Sequence, residues 1–258
     1  MKKSKLILKF ISIISLPILI LASCGYSKSQ PYYIDLTTNS EEVFNTLWGI
    51  NNSGNKSNKK AKNDNSQNIV FYIGISSCPF CHALKDLDTD ATSAMETYMT
   101  KYGDKALDGW FKKNTEKGYG PLNTFAKSLN DHSSDKGNLN TKVYGTWITG
   151  YKVGDFPIGD NWTYGLSPKW QWVGNFIDQL KRSNTPYYSW NDSSQTFTVG
   201  EQFNYAIPIL IFAKPTNKDN SPTSSYWTKY NITGYLSGYL TESQLWQAYM
   251  QFILAQKT

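Results

Sequence analysis

The sequence predicts an α/β protein in which strands and helices follow one another along the chain. Three observations carry that reading. Asn68–Ile75 is a largely apolar run rich in β-branched residues, and it passes through a Cys-x-x-Cys directly into a helical pattern. Residues 209–214 form a second apolar run, followed by an alternating strand pattern over 227–233. Thr241 then opens a closing helix, with Gln244 placed to complete a capping box.

The N-terminus carries Lys2, Lys3, Lys5 and Lys9 and then a mostly apolar run, 10–22. That run has 13 residues, short of the about 20 needed to cross a bilayer. A basic stretch before a short apolar stretch reads as a secretory signal. The run ends in Leu21-Ala22-Ser23-Cys24-Gly25, which resembles the lipobox of bacterial lipoproteins. The resemblance implies that residues 1–23 are removed, that Cys24 is lipidated, and that the protein sits on the outer face of the cell membrane. Two acyl chains on Cys24 suffice for stable attachment, where one holds only marginally. The competing readings are a cleaved signal without lipid and an uncleaved membrane helix.

Residues 24–31 form the tether. Residues 32–36 read as a strand, and 40–50 as a helix capped by Asn39, with Glu42 in the first turn. The stretch 51–67 is rich in Asn, Lys and Ser and reads as a loop. After the 68–75 strand, a helical pattern runs from Pro79 to residue 102, and a polar helical region extends to 130. A polar loop, 131–138, precedes 139–167, which is rich in Tyr, Trp and Gly and reads as irregular with short strands. Residues 168–182 place Trp172, Phe176, Ile177 and Leu180 on one helical face. In the last helix Leu245, Tyr249, Phe252 and Ile253 form the apolar stripe.

Composition narrows the function classes. The chain has 258 residues, 40% hydrophobic and 18% charged, enough for a sizeable core. Its formal charge of +6 is misleading, because residues 1–23 hold four lysines and no acid. The rest has 26 less 4, or 22, basic residues against 20 acidic, and no basic cluster interleaved with aromatics. Nucleic-acid binding is not expected.

The dithiol carries the chemistry. With Cys78 capping the helix, Pro79 falls at the first helical position, where its missing N–H costs nothing. Cys81 lies one turn on, so the two side chains share a face and can be bridged. Unpaired backbone N–H groups at the helix start favour a thiolate, which makes Cys78 the attacking sulfur and Cys81 the resolving one. If Cys24 is lipidated, Cys78 and Cys81 have only each other as partners.

An apolar strand, Cys78-Pro79-Phe80-Cys81, a helix, a later Ile207-Pro208 opening a strand, a second strand, a glycine and an amphipathic helix together resemble the thioredoxin superfamily. The resemblance implies a thioredoxin-like mixed central sheet flanked by helices, with Pro208 in cis facing the dithiol and Ile207-Pro208 binding substrate. Phe156-Pro157 is the competing pair, but it lies in turn-like sequence. The 127 positions from Cys81 to Pro208 resemble the DsbA-like branch, where a domain is inserted between these landmarks. The core would then be 32–102 and 205–258, and the insert a mostly helical or irregular, aromatic-rich subdomain, 103–204. Tyr72 stands where the family often has a buried acid, and Ser77 where thioredoxins carry an aromatic residue.

Blander readings stand beside these. A Cys-x-x-Cys can be half of a zinc site, with His82 and His132 as the available nitrogen ligands; no metal is expected, since His82 directly follows Cys81. His82 is a candidate modulator of Cys78, with Pro79 and Phe80, or else plain helix surface. Pro208 can also be an ordinary strand-initiating proline. The insert's aromatics, Trp147, Trp170, Trp172, Tyr188 and Trp190 among them, read as core or as a ligand groove.

The expected function is thiol–disulfide exchange on exported proteins, with no cofactor beyond the redox-active Cys78–Cys81 pair. Its partners would be exported thiols or disulfides and a second redox protein that regenerates it. The rival is a surface lipoprotein that binds a ligand or host molecule and keeps a vestigial thioredoxin-like fold.

Overall fold

The computed structural model describes residues 32–36, 40–50, 67–76, 78–85, 120–131, 140–149, 166, 168–183, 185–200, 207–216, 222 and 224–255. Cys24 and its signal, Asn39, Ser77, His132, Phe156-Pro157 and the 86–102 part of the helical pattern lie outside them. Among the described residues no helix is long and apolar enough to cross a membrane.

The elements run β1 (Ile34–Asp35), α1 (Ser40–Trp48), β2 (Asn68–Ile75), α2 (Pro79–Lys85), α3 (Pro121–Asp131), β3 (Thr141–Ile148), α4 (Gln171–Arg182), β4 (Tyr187–Asn191), β5 (Thr196–Val199), β6 (Ile209–Pro215), β7 (Tyr230–Ser237) and α5 (Glu242–Tyr249). A short 3-10 turn, Pro168–Trp170, leads into α4, and a π-helical turn, Met250–Leu254, extends α5. The strands form one mixed sheet in the order β1-β3-β2-β6-β7-β4-β5. β3 is parallel to both β1 and β2, β6 is antiparallel to β2 and β7, and β4 is parallel to β7.

β2 is an interior strand, between β3 and β6, and both its faces are apolar. Ile69, Phe71, Ile73 and Ile75 point into one core with Phe44 and Trp48 of α1 and Phe176 and Leu180 of α4. Val70 and Tyr72 point into the other, with Leu84 of α2, Phe125 of α3 and Leu245 and Tyr249 of α5. The result is three layers, helix on sheet on helix. Aromatic rings fill the first core: Phe44 meets Phe71 edge-on at 5.3 Å and Phe176 at 4.8 Å. Fully burying one such side chain stabilises the fold by roughly 1.5–3 kcal/mol. Trp170 and Trp172 belong to this core too.

The segment 103–204 differs from its expected form. Among the described residues it supplies β3, β4 and β5, and β3 lies between β1 and β2 in the sheet. Residues 31–258 group as one compact unit. Gly145, Lys142 and Thr146 break the apolar run of β3 and hide its strand character. β4 and β5 are largely solvent-facing and close through the turn at Gln195, whose φ is +53°. The second C-terminal strand also starts later than its alternation suggested, at Tyr230. Trp227 instead makes an isolated bridge to Ile50. The capping box of α5 is present, with the Gln244 N–H donating to the Thr241 hydroxyl and the Thr241 N–H to the Gln244 side chain.

Candidate functional site

The site forms where β2 turns into α2. The Ser76 N–H donates to the Ile148 carbonyl at 2.8 Å, so the chain leaves the sheet still paired to β3. The Cys78 N–H bonds back to the Ile75 carbonyl at 3.1 Å, and the Cys78 carbonyl accepts from the N–H groups of Cys81 and His82. Cys78 is therefore the residue from which α2 starts, and Pro79, the first helical residue, has no N–H to leave unpaired.

This geometry makes the two sulfurs unequal. Cys78 is half-buried and Cys81 fully buried, and both are free thiols. The Cys81 N–H points at the Cys78 sulfur, 3.3 Å away. Burial pushes the Cys81 thiol well above its ordinary value, and its hydrogen bond to Cys78 adds to the effect. The backbone at Ile75 and the Tyr72 hydroxyl act in the opposite direction. Cys81 thus holds its proton at neutral pH while Cys78 faces the surface.

Ile207 and Pro208 approach from the start of β6. The Cys78 thiol donates to the Ile207 carbonyl at 3.6 Å. Pro208 is buried and its peptide bond to Ile207 is cis. Its carbonyl accepts from the Gly238 N–H at 2.8 Å, which ties this corner to the end of β7. The structure brings Cys78, Cys81, Ile207 and Pro208 together; Pro79 is buried and Phe80 half-buried beside them.

His82 is buried, not the plain helix surface of the blander reading. Its Nε2 donates to the Ser76 carbonyl at 2.8 Å, and its ring meets Trp147 edge-on at 4.8 Å. It braces the β2–α2 turn from behind the dithiol. Among the described residues no group of three His, Cys, Asp or Glu side chains gathers to hold a metal.

Two residues that sequence reasoning did not place in the site stand behind it. The Tyr72 hydroxyl donates to the Cys81 carbonyl at 3.0 Å. Trp147 of β3 stacks on Tyr72 with centroids 6.3 Å apart, and the Lys85 ammonium lies 4.6 Å from its ring centre. The signal available in the sequence was a lone hydroxyl within an otherwise apolar strand, two residues before Gly74. No family model, no curated protein and no solved structure matches this chain, so the meaning of the site rests on its own residues.

Proposed function

We propose that this protein is a thiol–disulfide oxidoreductase of thioredoxin-like fold, acting on exported proteins from a lipid anchor at Cys24. The observation that carries the reading is the asymmetric dithiol: a half-buried Cys78, a buried Cys81 one turn behind it, and a backbone carbonyl, Ile207, against the outer sulfur. An exposed thiol can attack a substrate disulfide, and a shielded second thiol can then expel the bound substrate. The strand order and the approach of Ile207-Pro208 to the dithiol support the thioredoxin-like assignment. The lipobox supports the location.

In the exchange, the Cys78 sulfur attacks one sulfur of a substrate disulfide, and the other leaves as a thiolate. Cys81 then attacks Cys78, the intramolecular disulfide forms, and the second substrate sulfur departs. Two electrons pass to the substrate. The reverse sequence oxidises a substrate dithiol. A Cys81→Ala variant incubated with a disulfide-bonded protein should accumulate a mixed disulfide through Cys78, visible on non-reducing gels. No trapped partner, together with unchanged ligand binding after removal of both cysteines, would favour the binding-lipoprotein reading instead.

A further inference from the structure

Tyr72 is out of place for packing alone. β2 is apolar from Ile69 to Ile75 apart from this one hydroxyl, and phenylalanine would fill the same space without burying a polar group. Its neighbours are cut back to admit it. A Cβ at Gly74 would come 2.1 Å from the Tyr72 hydroxyl, and one at Gly145 3.2 Å from its ring. Tyr33 at 6.5 Å and Trp147 at 6.3 Å hold the ring between them. The hydroxyl is delivered to Cys81, where it donates to the backbone carbonyl at 3.0 Å.

We propose that Tyr72 is the hydrogen-bond donor that stabilises the Cys81 thiolate as Cys81 attacks a mixed disulfide held on Cys78. The inference rests on the redox reading above and deepens it. Cys81 is buried among apolar groups, and a bare thiolate there is costly. The phenol supplies the missing donor by rotating one O–H bond from the Cys81 carbonyl to the adjacent sulfur. Burial and the nearby thiols hold the phenol itself well above its ordinary range, so it stays a neutral donor.

Among the described residues, the titratable neighbours include Cys78, Tyr33 before β1, His82 and Lys85 on α2, Tyr239, and Tyr249 on α5. His82 is bonded to the Ser76 carbonyl, Lys85 lies over Trp147, and the Tyr249 hydroxyl is bonded to Thr141 at 2.7 Å. α3 presents Leu122, Phe125, Ala126 and Leu129 to this core, none of which titrates.

The step balances. Cys81 loses its proton to water, and its sulfur attacks Cys78. The Cys78–Cys81 bond forms, the bond from Cys78 to the substrate sulfur breaks, and that sulfur leaves with the electron pair as a thiolate.

The test uses the reduced full chain carrying Cys24→Ser, so that Cys78 and Cys81 are its remaining thiols, and dithiobis(nitrobenzoate), a chromogenic aromatic disulfide. Attack by Cys78 releases one thionitrobenzoate, and attack by Cys81 on the resulting mixed disulfide releases a second. The first release is the internal reference. Tyr72→Phe should slow the second by about tenfold to a hundredfold, the value of one hydrogen bond to a charged group. It should also move the pH profile of that phase upward by about one unit or more. A second release of unchanged rate and unchanged pH profile in Tyr72→Phe would overturn the proposal. If that variant does not fold, Gly74→Ala keeps the hydroxyl but displaces it. It should slow the same phase, and an unslowed phase overturns the proposal. A wild-type protein that releases only one equivalent would instead refute the redox reading itself.

Discussion

The Cys78 sulfur and the Ile207 carbonyl oxygen lie 3.6 Å apart, although 129 positions separate the two residues in the chain. The contact joins the end of β2 to the start of β6, neighbouring antiparallel strands whose register is fixed by pairs such as Ile73 with Ile209. Sheet register therefore sets the distance between the outer thiol and a backbone acceptor. Under the proposed function, a substrate bonded to Cys78 would meet the Ile207 backbone at the same time.

Unequal exposure should give unequal reactivity. With limiting iodoacetamide at neutral pH, mass spectrometry should find the label on Cys78, with Cys81 modified only after long exposure or unfolding. Labelling of Cys81 first would reverse the assigned polarity.

Alkaline pH should destabilise the fold. The folded-state values of Cys81 and Tyr72 are raised above 9.0 and 10.0 respectively, so the native state holds these protons more tightly than the unfolded chain. The associated stability is intact below about pH 9 and is lost as pH rises through the folded-state values. Urea midpoints measured from pH 7 upward should fall beyond that point. The fall above the ordinary tyrosine value should be shallower in Tyr72→Phe.

Gly74 should resist substitution. Its Cβ would meet the Tyr72 hydroxyl and ring and the Trp147 ring within 2.8 Å. Gly74→Ala should cost about 1–3 kcal/mol by urea unfolding. The penalty should shrink in a Tyr72→Phe background, where the nearest clash is gone. Equal penalties in both backgrounds would show that the hydroxyl is not what the glycine accommodates.

The closing helix should depend on its cap. Thr241→Ala removes the hydroxyl that accepts from the Gln244 N–H, and it should lower stability by about 0.5–2 kcal/mol. Thermal unfolding of the two proteins side by side measures the difference.

Lipid on Cys24 should be directly visible. The N-terminal peptide of protein extracted from native membranes should carry a diacylglyceryl group by mass spectrometry. An unmodified Cys24 in the membrane fraction would remove the anchor from the proposed function.

The parts of the fold that could be read from the sequence are those where one physical signal dominates. β2 is a pure apolar run, and its limits fall where composition placed them. α5 announces itself through Thr241 and Gln244. β3 was obscured because only alternate residues face a core and Gly145 interrupts the pattern; a strand that admits Tyr33 and Tyr72 through a glycine looks irregular in one dimension. The cysteines and Ile207-Pro208 were legible as motifs. Tyr72 was visible only as a position that differed from a pattern, since its bond to Cys81 depends on how β2 passes beneath α2.

The interior place of β2 also bears on how the chain acquires its structure during synthesis. Asn68 pairs with Thr141 on one side, and Ile73 with Ile209 on the other. Neither neighbour has been synthesised when the dithiol leaves the ribosome. The two cysteines, three residues apart, can find each other at once, whereas the sheet that differentiates them must wait for most of the chain. Until β6 arrives, both sulfurs belong to an open segment with no Ile207 carbonyl and no shielded core. On the proposed function, a nascent chain of this protein would be a client of disulfide chemistry before it could perform any.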